Sequence, residues 1–273
     1  MANPKEKITL TEEQETLLIT LYSKVVEGRR PDPIFIDEKA REILDRVEYD
    51  FSRLKTPRKT TIMVCMRAMK LDTYAREFLA SHPRGIVIHL GCGLDSRCVR
   101  VRHEGAEWYD LDMPEVIDLR RKFYDETDTY HMIPSSVTDW GWMDRISAQG
   151  RAVLVIAEGL LMYLQEEQVK TLILKLKAAF PGCELAFDAF SVLTASKAKG
   201  HPSLKQTGAV THWGIDDAKA IEKWADGIRL KEEWFFTQSE IVDKLGAFYR
   251  VSFKIAGLFA VANKAHRILY YSL

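Results

Sequence analysis

Cysteine is scarce in this chain, four residues in 273, and no two of them form a C-x-x-C pair. Cys65, Cys92, Cys98 and Cys183 are scattered, which argues against a zinc knot or a disulfide framework of the kind that staples small secreted domains. Long apolar runs are also missing: no stretch approaches the roughly 18 residues that a membrane-spanning helix needs. The opening residues MANPKEKITLTEEQE are polar and lack the apolar centre of a signal peptide. A reducing, cytoplasmic setting without membrane contact is expected, and no metal site. Charge of one sign is not in excess either, because thirty-nine basic residues balance thirty-nine acidic ones. That removes the global field which draws a protein to nucleic acid. Internal repeats and low-complexity tracts are absent.

What is present is apolar bulk. With 47% hydrophobic residues over 273 positions, the chain can bury one large α/β domain with an appendage, or two small domains. Leu10, Leu17, Leu18, Leu21, Tyr22 and Val25 recur at helical spacing over residues 8–28, and Pro31 and Pro33 forbid continuation. A second helix is predicted from near Asp37 and a third over residues 56–79. Residues 1–84 therefore read as a helical N-terminal cap over a core formed by residues 85–273.

From Gly85 onward strands and helices alternate, the mark of a parallel sheet covered on both faces. Strands are predicted at residues 86–90, 107–111, 130–134, 152–157, 184–190, 249–255 and 266–272. Between the last two no helix is expected, which suggests an antiparallel hairpin at one sheet edge. Residues 191–237 break the alternation with loop signals and three tryptophans, and read as a lid.

The most informative stretch is GIVIHLGCGLDSRCVRVRHEGAEWYDLD, residues 85–112. It reads as a buried strand, a tight turn at Gly91-Cys92-Gly93, a short helix and a second strand ending in Asp112. Glycines at the turn let the backbone press against a ligand. A carboxylate some twenty residues on suits the two hydroxyls of a ribose. The third glycine of the dinucleotide fingerprint is missing, and Asp95 sets a negative charge where a pyrophosphate would lie. A nucleoside with a positive centre and no phosphate fits better, S-adenosylmethionine being the obvious one. A dinucleotide enzyme and an ordinary strand-turn-helix without ligand stay open on this pattern alone.

Several segments together resemble a known family. His89-Leu90-Gly91-Cys92-Gly93-Leu94-Asp95-Ser96-Arg97, Tyr109-Asp110-Leu111-Asp112-Met113-Pro114-Glu115-Val116 and Ala157-Glu158-Gly159-Leu160-Leu161-Met162-Tyr163-Leu164, with Arg30-Pro31-Asp32-Pro33 near the start, carry the likeness. The chain is similar to the class I methyltransferases that join the leucine carboxyl methyltransferases with the tetracenomycin-type polyketide O-methyltransferases, and closer to the second branch. The resemblance implies a Rossmann-like fold, with a mostly parallel seven-stranded sheet whose last strand is antiparallel, and S-adenosylmethionine as cofactor. By the same likeness Gly91 and Gly93 would lie under the methionine moiety and Asp112 would hold the ribose hydroxyls. Glu158 would neutralise the cofactor's ammonium, Arg67 and Lys24 would meet its carboxylate, and Ser136 and Val137 would flank the adenine. The family's acid at that last place is Ser136 here.

Simpler readings stand beside these. Arg67 would be a solvated helix residue, Asp112 a helix cap before Pro114, His89 a satisfied core histidine and Cys92 a small filler. Arg100, Arg102, His103 and Glu104 read as solvated surface. For the methyl acceptor the candidates are Tyr163, His201, His212 and Trp213, although the tryptophans would serve equally to pack the lid. The acceptor is expected to be a small molecule, methylated at a carboxyl or hydroxyl oxygen; a protein C-terminal carboxylate, or a dinucleotide-binding or non-catalytic α/β protein, is the alternative. No Ser-His-Asp or Cys-His constellation is evident, and no catalytic side chain is assigned.

Overall fold

Residues Ile86–Leu90 (β1) form the central strand, with all five residues buried. In the computed structural model, which describes residues 6–7, 16–51, 54, 56–198 and 210–273, β1 pairs in parallel with Glu107–Asp112 (β2) on one side and Val153–Ala157 (β4) on the other. Tyr130–Pro134 (β3) extends the sheet beyond β2, and Glu184–Phe190 (β5) extends it beyond β4. His266–Ser272 (β7) is antiparallel to β5, and Arg229–Phe235 (β6) closes the edge antiparallel to β7. The order is thus β3-β2-β1-β4-β5-β7-β6, a mostly parallel seven-stranded sheet with an antiparallel last strand.

The alternation of side chains along a strand divides the core into two layers. Ile86, Ile88 and Leu90 of β1 pack with Val169, Leu172 and Leu176 of helix α6 (Glu166–Ala179) on one face. On the other face Val87 joins Trp108 and Leu154, and the same cluster takes in Leu18, Val25, Ile43 and Tyr74. These last four belong to helices α1 (Thr16–Gly28), α2 (Glu38–Arg46) and α3 (Arg58–Ser81). The N-terminal helices therefore share one apolar layer with the sheet. Asp37 caps α2 by accepting from Ala40 N–H at 2.9 Å. After β1 comes the short helix α4 (Arg97–Arg100), and after β2 comes α5 (Pro114–Arg120) with proline in its first turn. Among the described residues no helix is long and apolar enough to cross a membrane.

The end of the chain departs from the sequence-based expectation. Residues 249–255 are helix, within Ala247–Gly257 (α9), and the sixth strand lies earlier, at Arg229–Phe235, inside the segment expected to be a lid. Tyr249, Val251, Phe253 and Ile255 alternate as a strand would, yet Phe248, Val251, Ile255 and Leu258 also recur at helical spacing, and Gly246 ends the preceding turn. RLKEEWF escaped notice because edge strands tolerate charge. Between β6 and β7 lie three helices, α8 (Ile241–Lys244), α9 and α10 (Ala260–Ala265), so the two strands pair antiparallel without forming a tight hairpin. From the expected lid, α7 (Val192–Lys197) is a further ordered element.

Candidate active site

Strand order reverses between β1 and β4, so the connections leaving these strands depart on opposite faces and a crevice opens at their carboxyl ends. Three features converge there: the turn after β1, Asp112 at the end of β2, and Glu158 directly after β4. A cavity of about 1150 Å³ fills the crevice. Gly91 and Gly93 have φ of +62° and +50°, the left-handed region that side chains rarely adopt. A Cβ on Gly91 would stand 3.1 Å from Leu160, and one on Gly93 would stand 3.3 Å from Leu17.

Asp112 is held by backbone donors. Its Oδ2 accepts from Gly93 N–H and its Oδ1 from Met113 N–H, both at 2.7 Å. Burial pushes its pKa above the ordinary aspartate value, and those two N–H groups only partly offset this. A carboxylate has about four lone-pair sites, so two remain to accept from a pair of hydroxyls.

Behind the turn lies a buried lattice of ion pairs. Glu158 accepts from Arg67 Nε at 2.9 Å and from Arg97 Nη2, and these two cations hold its pKa down at about 2 against the cost of burial. Arg67 Nη1 also donates to Asp188 at 2.7 Å, while its Nη2 has no hydrogen-bond partner among the described residues. Arg97 continues to Asp72 at 2.7 Å and to His89 Nε2 at 3.1 Å. Arg100 ties Asp72, Asp37 and Asp95 together, at 2.8, 2.6 and 3.3 Å. Lys24 Nζ closes on Asp95. On the far side of the turn Arg120 pairs with Asp110 and donates to the carbonyls of Gly93 and Asp95 at 3.0 and 2.8 Å.

Of the residues predicted for the cofactor, Lys24, Arg67, Gly91, Gly93, Asp112 and Glu158 all line the cavity. Lys24, however, is 2% exposed and committed to Asp95, and Glu158 already serves two arginines. Ser136 and Val137 stand outside the cavity wall. Val137 is packed into the core and accepts from Trp142 Nε1 through its carbonyl at 3.3 Å, while the Ser136 hydroxyl meets that of Thr138 at 2.9 Å. Tyr163 and His212 reach the cavity. Trp213 does not: it is 4% exposed, with its ring 6.1 Å from Phe187, because a large apolar ring finds more contact in the core than at a cavity wall. His201 lies outside the described residues.

The expectation that Arg100 is solvated surface is corrected, since its side chain is 10% exposed and bonded to three acids. His89 is a core histidine, 1% exposed, and Cys92 is a buried filler of the same wall. Residues passed over in the sequence are Arg97, Asp188 and His266. An acid within the apolar run LAFDAF of β5 is the same signal that marked Glu158, so Asp188 was legible; His266 was not, because only folding sets it beside Asp188.

The donor set fits S-adenosylmethionine. Asp112 has lone pairs for a ribose diol, Gly91 and Gly93 present bare backbone at the turn, and Arg67 with Glu158 offers one charge of each sign to an amino-acid head group. The leucine carboxyl methyltransferase family model matches residues 18–177. The chain is 41% identical over 235 residues to the tetracenomycin polyketide synthesis O-methyltransferase TcmP of Streptomyces glaucescens, covering 86% of this chain and 87% of that protein. It is 32% identical over 253 residues to the S-adenosyl-L-methionine-dependent methyltransferase dpfgK of Gibberella zeae, covering 85% of each. Among solved structures a candidate methyltransferase of Thermobifida fusca superposes with a TM-score of 0.58 at 14% identity, over 97% of this chain and 95% of that one, a likeness of fold. The sheet order, the turn with its acid and the extent of these matches lead to one conclusion: the chain belongs to the leucine carboxyl methyltransferase family and has the Rossmann-like class I methyltransferase fold.

Proposed function

We propose that this S-adenosylmethionine-dependent methyltransferase methylates an oxygen of a small, largely apolar, polyketide-like acceptor, and that both ligands occupy the crevice at the ends of β1, β2 and β4. The observation that carries this reading is the size and lining of the cavity. Pockets for one small ligand commonly measure about 300–1,000 Å³, and this one measures about 1150 Å³. Its polar end holds Asp112, Arg67 and Glu158; elsewhere Met63, Val64, Met162, Phe190 and Leu193 give it apolar walls. The relative TcmP, an O-methyltransferase of polyketide synthesis, agrees with a polyketide-like acceptor. Four buried free thiols suit a reducing compartment, the cytoplasm.

S-adenosylmethionine, when bound, supplies a methyl group already activated by its sulfonium. Asp112 would take the ribose hydroxyls, with its carboxylate fixed by the N–H groups of Gly93 and Met113. Arg67 and Glu158 would take the two charges of the amino-acid end. The apolar walls would exclude water and orient the acceptor, and orientation of that kind supplies much of the rate.

Calorimetric titration with S-adenosylhomocysteine and, separately, with NAD tests the reading. S-adenosylhomocysteine is expected to bind and NAD not, and Asp112→Ala to weaken the former by about 1–3 kcal/mol, the cost of losing a charged hydrogen-bond partner. Binding of NAD alone overturns it.

A further inference from the structure

The balanced total charge of the chain hides a one-sided stretch at its end. From Lys244 to Leu273 the sequence holds Lys244, Arg250, Lys254, Lys264 and Arg267 and no aspartate or glutamate. The first four of these are exposed. Within the same stretch, α9 is anchored by one face only: Phe253 packs with Ile62 and Met66 of α3 and with Phe236 and Val242. Phe248, Val251 and Ile255, at positions i, i+3 and i+7, form an apolar stripe that faces outward, and Leu258 prolongs it past the end of the helix. Phe248 is 75% exposed and Leu258 80%. Phe259 and Val261 carry the exposed surface onto α10 and also line the cavity, as does the exposed Leu193 of α7. The patch therefore runs into the cavity mouth. Burial of such side chains is strongly favourable, and a contiguous apolar surface of this kind marks a site of association.

We propose that α9 and α10 seat the protein on an anionic lipid bilayer, with the mouth of the cavity at the lipid surface. The seat stands on the patch and its charge; its use, the entry of an apolar acceptor from the bilayer along Phe259 and Val261, rests on the methyl-transfer reading above.

Charge decides the occupant. Arg250 and Lys254, four residues apart, follow the border of the stripe. Lys264 on α10, and Lys59 and Lys197 where they line the cavity, are exposed as well. A helix with an apolar face bordered by lysine and arginine lies in the headgroup layer, its apolar side chains in the acyl boundary and its cations drawn to anionic headgroups. A second copy docked on the same face through a two-fold axis would instead set these cations against their own counterparts. The acid nearest in sequence, Asp243, is already paired with Lys254 at 2.7 Å.

Flotation of the full chain with vesicles, in the absence of cofactor, tests the proposal. The protein is expected to float with vesicles of equal parts phosphatidylglycerol and phosphatidylcholine, less so as salt is raised, and to stay behind with phosphatidylcholine alone. Phe248→Ser combined with Leu258→Ser is expected to lower the partition coefficient about tenfold or more, and Arg250→Gln combined with Lys254→Gln about tenfold. These four side chains are exposed and outside the cavity, so S-adenosylhomocysteine affinity is expected to be unchanged in both variants. Absence of flotation with the anionic vesicles overturns the proposal, as does equal flotation with the neutral ones. So does a dimer in sedimentation velocity that Phe248→Ser with Leu258→Ser dissociates, which gives the face to a second copy. A wild-type protein that floats with the anionic vesicles yet fails to bind S-adenosylhomocysteine upholds the seat and removes the methyl-transfer reading.

Discussion

Arg120 shows how much of this site is built from charges that never meet solvent. Its guanidinium is fully buried; it pairs with Asp110, which also accepts from Tyr130 Oη at 2.7 Å and Trp108 Nε1 at 2.9 Å, and it reaches the carbonyls of Gly93 and Asp95. One side chain thus satisfies a buried acid and fixes the outer limb of the glycine turn. Arg120→Met keeps much of the volume but leaves Asp110 without its cation, and a destabilisation of about 3–5 kcal/mol is expected in urea unfolding. At this scale the sequence was legible wherever a polar residue interrupted apolar neighbours: Asp112 and Glu158 stand at strand ends because a lone acid there needs a partner. It was silent on which partner. Arg100 read as solvated surface and Arg97 was passed over, yet α4 is pressed against α2 and α3 through Asp37 and Asp72, so both arginines are buried.

Among the elements, the turn between β1 and α4 is the most constrained. Gly91 combines φ of +62° with a Cβ direction that runs into Leu160 at 3.1 Å. Gly91→Ala is expected to cost about 1–2 kcal/mol in backbone strain alone, read as a lower urea midpoint, and to weaken S-adenosylhomocysteine binding because Leu160, a cavity residue, must move. The central strands were readable since continuous apolar runs between turn signals leave few alternatives. The last third was not. KEEWF at the sheet edge carries too much charge to look like a strand, while the 249–255 run satisfies both periodicities and becomes a helix with Phe248 and Val251 facing outward. Its period-2 pattern was a coincidence of composition, decided against by β7 having β6 as its outer neighbour.

Over the whole molecule, the ion lattice sets the response to acid. Glu158 and Asp110 are each lowered to about 2, and Asp95 and Asp188 lie well below the usual carboxylate range; in each case nearby cations outweigh burial. Unfolded, these groups titrate near 4. A folded pKa below the unfolded one means stability that is complete above about pH 4–5 and is lost as pH falls toward 2. Urea midpoints are expected to be level near neutrality and to drop steeply between about pH 4.5 and 2. A midpoint flat across that interval would show that the pairs contribute nothing to the folded state. Asp112 acts in the opposite sense, since its raised pKa makes ionisation costly in the folded chain, in keeping with a group placed for a ligand.

Local composition by itself determined the alternation of strands and helices through residue 190, the glycine turn, and the acids at the tips of β2 and β4. Each of these follows from interactions within a few residues: apolar periodicity, backbone freedom and capping. Only the tertiary structure decided that Glu158 belongs to two arginines, that Trp213 packs inward, and that His266 stands against Asp188 across 78 residues of chain. Those outcomes depend on which strands lie side by side and which charges share a dry interior, and long-range pairing of that kind leaves no periodic trace in the sequence.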